Sequence, residues 1–346
     1  MADVIETRPE PDLTSAEGLA DALGLDRRDV AAVHVESTET SQRTSLAFLD
    51  VVYAGAVAVG SLPTRLVLKR TPQAMPGAKP VPAQEADFYV RLAPALPSPP
   101  VVRCVAARAP SAASAGYVLI EDLRATHVEP APDEEMDFGP AVDVLARIHA
   151  ARWEVDDDRF NGSSSEQSIR AAVQRIGARL PVFFDTAGDA LPANGRRLYE
   201  RVFSSALRPW LRPLDRRALT LIHGDAHGGN FLVPREPEGD VYLIDWNRWT
   251  ADVGARDLAF LLLRSSPDRR RRIEEPLLRR YHARLEALGV RGYGWDDLWS
   301  DYRRCWVRNL TIPVMRQARG RSDESWRELL NHAVVAVVDL DGDDLL

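Results

Sequence analysis

The chain is organised around His223-Gly224-Asp225-Ala226-His227-Gly228-Gly229-Asn230, followed by Leu243-Ile244-Asp245-Trp246. Between them these stretches present three oxygen-bearing side chains, Asp225, Asn230 and Asp245. Phosphoryl transfer needs that inventory: one carboxylate to orient a hydroxyl and take its proton, and hard oxygen ligands for a magnesium ion that neutralises nucleotide phosphates. A sharp polar turn before a hairpin would account for the glycines alone. It would not account for Asp, Asn and Asp at these positions.

Two apolar β-runs, Phe231-Leu-Val-Pro234 and Val241-Tyr-Leu-Ile-Asp245, flank the polar separator Arg235-Glu-Pro-Glu-Gly-Asp240. This pattern predicts a hairpin. Folded symmetrically, it pairs 231 with 244 and 232 with 243, and sets Asn230 opposite Asp245. Asp225 then lies on the turn just before.

His223-x-Asp225-x4-Asn230 with Ile244-Asp245-Trp246 resembles the catalytic core of the aminoglycoside phosphotransferase and choline kinase group of small-molecule kinases. The Ile-Asp-Trp ending and the downstream Gly254-Ala-Arg-Asp257-Leu258 look most like its ecdysteroid-kinase-like branch. The resemblance implies an α+β, two-lobed, protein-kinase-like fold. It has an N-terminal five-stranded antiparallel sheet with one main helix, and a larger, mostly helical C-terminal lobe containing the catalytic hairpin. The nucleotide lobe is expected at 1–122, the catalytic and substrate lobe at 123–346, with a hinge near 121–124.

A length of 346 residues is enough for two substantial cores. The net charge of −7 argues against a nucleic-acid partner. Two cysteines, Cys104 and Cys305, make no disulfide framework and point to a reducing compartment. The start Met1-Ala-Asp-Val-Ile-Glu lacks the pattern of a signal peptide, and no apolar run reaches membrane-spanning length. A cytoplasmic enzyme with no membrane partner is the expectation.

In the first lobe, Thr14-Ser-Ala-Glu17 reads as a capping box opening a helix through Leu23. Strands are predicted at 30–35, 45–53, 64–69, 101–107 and 117–121, with a helix at 82–92. Lys69 ends an apolar strand, where a snorkelling lysine is the plain reading. Glu85, in the first helical turn, complements the helix dipole. The resemblance gives both more: Lys69 would grip the nucleotide phosphates and Glu85 would steady it. The turn assigned to 36–45 would cover those phosphates, yet it has no glycine. Ser41 and Thr44 could form an anion nest there and Arg43 could neutralise charge, or the segment is a plain solvated hairpin. At the hinge, the family reads the base through backbone groups that fall at Glu121 and Leu123, so ATP and GTP are not distinguished.

In the second lobe, helices are predicted at 138–153, 164–180, 194–212, 267–289, 295–318 and 323–338. His149 is assigned to packing, as are Phe183 and Phe184. Arg269 to Arg272, with Glu274 and Glu275 following, reads as a solvated helix face. Of the tryptophans at 295, 299, 306 and 326, most are assigned to the core, and 339–344 to a solvated acidic tail. Asp257 is either a helix N-cap or, by resemblance, the buried carboxylate bracing the catalytic loop. His223 would support the same loop.

The expectation is therefore a Mg²⁺-dependent phosphotransferase acting on a hydroxylated small molecule. Asp225 is the base, Asn230 and Asp245 are the metal ligands, and Lys69 with Glu85 grips the nucleotide. A kinase-like module without turnover is the alternative. A protein kinase is disfavoured, because little chain separates Asp245 from Asp257 for a peptide-docking segment.

Overall fold

A computed structural model describes residues 12–40, 44–54, 62–70, 82–110, 115–130, 136–154, 166–203 and 218–342. The chain divides into two compact units, 1–128 with 232–249 and 129–231 with 250–346.

The first unit is built on β1 (Val30–Thr40), β2 (Ser45–Tyr53), β3 (Arg65–Arg70), β4 (Cys104–Arg108) and β5 (Tyr117–Glu121). They form an antiparallel sheet in the order β1-β2-β3-β5-β4. Alternation decides its faces. Ala47, Leu49 and Val51 of β2, Leu66 and Leu68 of β3, and Tyr117 and Leu119 of β5 share one buried cluster with Leu19 and Ala20 of α1 (Ala16–Leu23). The opposite face carries Lys69.

Two expectations are corrected here. The N-cap of α1 is Ser15, whose hydroxyl accepts the Gly18 N–H, while Thr14 donates to Asp12. Strand β1 continues to Thr40, so most of the stretch read as a turn is strand, and Thr40 pairs with Ser45. Glu36 to Thr40 have no apolar alternation to announce a strand; the ladder to β2 holds them. Ser41 and Arg43 lie outside the described residues, and Thr44 immediately precedes β2.

Helix α2 (Pro82–Asp87) widens into a π-turn over Phe88–Leu92, which buries Phe88, Tyr89 and Leu92. A second, three-stranded sheet orders β6 (His127–Val128), β8 (Phe231–Pro234) and β9 (Tyr242–Leu243) side by side. His127 pairs with Pro234, and Val101 bridges to Leu243. These ladders explain why 232–249 groups with the N-terminal residues, although the single boundary near 122 assigns it to the later lobe.

The second unit is helical around one small ladder. Strands β7 (Leu219–Ile222) and β10 (Thr250–Val253) pair antiparallel, with Ile222 opposite Thr250. Around them lie α3 (Phe138–Ala151), α4 (Glu166–Gly177), α5 (Leu180–Ala187), α6 (Gly195–Phe203) and α7 (Ala255–Leu261). The chain continues through α8 (Pro267–Ala287), α9 (Trp295–Asn309), α10 (Thr311–Ala318) and α11 (Asp323–Asp339). The single helix expected over 295–318 breaks at Leu310, since Pro313 has no N–H to give to the carbonyl of Asn309. Phe183, Phe184, Trp306 and Trp326 are buried as expected, whereas Trp295 and Trp299 are half-buried.

The basic run of α8 is solvated only in part: Arg271, Arg272 and Glu275 are exposed, but Arg270 and Glu274 are buried. Arg270 is only 1% exposed and bonds Glu274 at 2.7 Å as well as Asp339. Asp339, read as part of an acidic tail, belongs to α11 and also accepts from Arg271 at 2.7 Å. No described helix is long and apolar enough to cross a membrane.

Candidate active site

In the first unit, the face of β3 opposite the core presents Lys69, which ion-pairs with Glu85 at 2.6 Å and with Asp245. Residues from a strand, a helix and the segment after β9 thus converge on one ammonium. Burial opposes the charge on Lys69, but the Glu85 and Asp245 carboxylates outweigh it and hold its pKa above the ordinary lysine value. Two carboxylates share that one ammonium, so the cluster carries excess negative charge. Glu85, the more buried, bears the cost. Desolvation pushes its pKa up against the pull of Lys69 and a hydrogen bond from the Trp246 backbone.

Asp245 adopts φ of +65°, the left-handed region that Asp and Asn tolerate better than other side chains. Asn247 closes the turn: its backbone N–H donates to the Asp245 carbonyl and its Nδ2 to Asp245 Oδ1, both at 2.8 Å. Trp246, fully buried, stacks on Phe88 and donates Nε1–H to the Leu243 carbonyl at 3.0 Å. Trp249 Nε1 donates to the Gln84 carbonyl at 2.6 Å, a second tie to α2. The one sequence signal for Asn247 is its position two residues after an Asp, which marks a turn.

Glu121 ends β5 with its N–H on the Arg103 carbonyl at 2.9 Å. The Leu123 carbonyl accepts from the Thr126 and His127 N–H groups at 2.9 and 2.8 Å, closing the turn after the strand.

In the second unit, the chain leaves β7 at His223 and turns at Gly224, whose φ of +77° suits a residue without Cβ. Asp257, fully buried at the start of α7, accepts the His223 N–H at 2.7 Å on Oδ2 and the Gly224 N–H at 2.9 Å on Oδ1. The Asp225 N–H donates to His223 Nδ1 at 3.3 Å. The Asp225 carbonyl accepts the His227 N–H at 2.8 Å and Asn230 Nδ2 at 2.8 Å. With its nitrogen spent inside the loop, the Asn230 amide has its oxygen left for a ligand.

His149 is the fully buried histidine the sequence assigned to packing, but it also contacts the loop's anchor. Its Nε2 lies 3.3 Å from Asp257 Oδ2, and its Nδ1 lies 2.7 Å from the Tyr281 hydroxyl. An ionised Asp257 can only accept, so His149 Nε2 carries a hydrogen toward it. Burial raises the Asp257 pKa, but the hydrogen bonds from His149 and the His223 backbone prevail and hold it below the usual value. Nothing in the sequence links Tyr281 to this chain of contacts.

Among the described residues, no group of three or more His, Cys, Asp or Glu is placed to hold a metal ion. Asp245 and Asn230 offer hard oxygens, the donor class magnesium takes, and magnesium is usually held by one or two carboxylates together with water and substrate phosphates.

Residues 50–299 match the phosphotransferase enzyme family (APH), and the chain belongs to that family. Solved structures share the fold. The macrolide 2'-phosphotransferase MphH from Brachybacterium faecium is 20% identical, over 94% of this chain and 97% of that one, with a TM-score of 0.54. A choline kinase from Cryptosporidium parvum Iowa II is 10% identical over 91% of each chain, with a TM-score of 0.57. LicA in complex with AMP is 16% identical, over 94% and 97% of the two chains, with a TM-score of 0.52. No match was found among curated proteins.

Proposed function

We propose that this protein transfers the γ-phosphoryl group of ATP or GTP to a hydroxyl of a small organic molecule. The observation that carries the proposal is the Lys69–Glu85–Asp245 cluster in a chain of the phosphotransferase family. An ammonium kept charged and fixed between two carboxylates is ready to receive anionic phosphates without reorganising. The complex of LicA with AMP supports a nucleotide as ligand of this fold.

In this reading Asp225 orients the acceptor hydroxyl and takes its proton as the new P–O bond forms. Lys69, steadied by Glu85, holds the inner phosphates. Asp245 and Asn230 hold Mg²⁺, which supplies charge neutralisation on the phosphates. Asp257 and His223 keep the loop of Asp225 in shape. The backbone at Glu121 and Leu123 contacts the base, and Ser41, Arg43 and Thr44 are assigned to the phosphates.

The absence of glycine from 36–45 favours one competitor, a protein that binds nucleotide without turnover. The test is nucleotide binding and magnesium-dependent γ-phosphate transfer to a panel of hydroxylated acceptors, comparing wild type with Asp225→Asn. We expect the variant to keep binding and lose transfer. Transfer at the wild-type rate would sink the role of Asp225. Binding with no transfer across the panel would support the competitor.

A further inference from the structure

The sheet face that carries Lys69 carries a second arrangement that the proposed chemistry does not use. Phe48 of β2 pairs with Val67 of β3, and Val67 with Ile120 of β5. One step along, the same ladder joins Leu46, Lys69 and Val118. Strand alternation puts both rows on one face, away from Ala47, Leu49, Leu66, Leu68 and Leu119 in the core.

Phe48 is covered by Arg124, whose guanidinium carbon lies 3.7 Å from the ring centroid. Two carboxylates hold the guanidinium there. Nε donates to both Asp122 oxygens at 3.0 Å, and Nη2 donates to Asp122 at 2.7 Å and to Glu36 at 2.8 Å. The backbone of Arg124 is pinned, its N–H on Asp122 Oδ1 at 2.9 Å and its carbonyl accepting from Arg235 at 3.1 Å. The side chain is 44% exposed and has room to leave. If it does, Arg65, at 3.4 Å from Asp122 and 3.1 Å from Glu36, still serves both carboxylates.

We propose that the Phe48 ring is a stacking platform for a purine base, and that Arg124 occupies it in the free protein as an internal stand-in that the nucleotide displaces. This rests on the nucleotide-binding reading above and adds a control on its affinity. A guanidinium and a purine are both planar and delocalised, and both bind an aromatic face through the π-system. Only one fits at a time. The nucleotide therefore binds only the fraction of molecules in which Arg124 has swung away, and its apparent affinity falls by that fraction.

Calorimetric binding of ATP, GTP and the uncharged probe adenosine to wild type, Arg124→Ala and Phe48→Leu tests this. Adenosine separates stacking from attraction of phosphates to the arginine charge. Arg124→Ala should bind adenosine roughly three- to tenfold more tightly, and Phe48→Leu should bind all three ligands more weakly. Where Arg124→Ala folds poorly, the pair Arg124→Ala with Asp122→Asn removes one of the two carboxylates left to Arg65 alone and carries the same expectation. Unchanged or weaker adenosine binding by the arginine variants, with nucleotides still bound through Lys69, overturns this inference alone. Absence of any nucleotide binding, in wild type and variants alike, overturns it together with the phosphotransferase reading.

Discussion

Phe88 lies face to face on Trp246, the ring centroids 3.8 Å apart and the planes within 3° of parallel. Each ring neighbours one of the acids that hold Lys69: Phe88 sits one helical turn after Glu85, and Trp246 directly follows Asp245. The stack therefore fixes the spacing of the two carboxylates. Phe88→Ala should cost about 3–5 kcal/mol in urea denaturation and weaken ATP binding as well. Phe88→Leu, which keeps most of the volume, should cost less. An unchanged ATP affinity in a folded Phe88→Ala protein would show that the acids keep their spacing without the stack.

Removal of the lysine should be more damaging than removal of one acid. Lys69→Met leaves Glu85 buried beside Asp245 with no cation, a loss of about 3–5 kcal/mol, and removes the phosphate grip. Glu85→Gln leaves the Lys69–Asp245 pair and should be much milder in stability, with a smaller loss of ATP affinity. Denaturation midpoints and ATP titrations of the two variants give the order directly. A Glu85→Gln protein as impaired as Lys69→Met would contradict the shared-ammonium arrangement.

Gly254 marks the space around the loop's anchor. A Cβ there would come within 2.1 Å of the Tyr281 hydroxyl and 2.6 Å of His149 Nδ1. Gly254→Ala must therefore push apart the pair that supports Asp257, at roughly 2–4 kcal/mol by analogy with overpacked cores. Amide hydrogen exchange at His223 and Gly224 should quicken with it. Tyr281→Phe relieves no clash in the wild type, and its effect on the same amides reports the hydroxyl alone.

Two buried acids should give the second unit opposite responses to pH. Asp301 accepts from Tyr293 at 3.0 Å, but burial dominates and raises its pKa from 3.8 to about 6. The folded state thus binds the extra proton between those values. Its stabilisation is fully present below 3.8 and is lost as pH rises through about 6. Asp252 is buried too, yet Arg308 at 2.8 Å and Arg256 at 2.7 Å pull its pKa down to about 2. Its contribution is present above 3.8 and is lost as pH falls through about 2. Asp301→Asn should remove a slope worth about 3 kcal/mol over the upper window. Equal slopes for wild type and variant between pH 4 and 6, measured by denaturation, would count against it.

The legible parts of this molecule were those whose partners lie close in sequence. His223 to Asn230 is one loop with its own internal hydrogen bonds, and Asp245 sits beside the Asn247 that closes its turn. Strong alternation exposed β2 and β3. Strand β1 beyond Val35 escaped, because Ser, Thr and Glu look like a turn until a neighbouring strand supplies the ladder. Arg270 was misread because Glu274, its visible partner, suits a solvated face, while Asp339 lies 69 residues away on α11. The Tyr281–His149–Asp257 contacts join three helices, and no local pattern could announce them.

The left-handed backbone at Asp245 narrows the choice of amino acid twice over. Glycine and asparagine satisfy φ of +65° but bring no carboxylate to Lys69. Glutamate brings the carboxylate, but its longer, non-turn-forming side chain is disfavoured in that conformation. Aspartate alone meets both demands, so the position has a single-letter solution. Asparagine changes only the charge there, whereas alanine would mix a lost carboxylate with a distorted turn. Among relatives, a residue other than aspartate, asparagine or glycine at this place would signal that the backbone turn, and not merely one side chain, has been rebuilt.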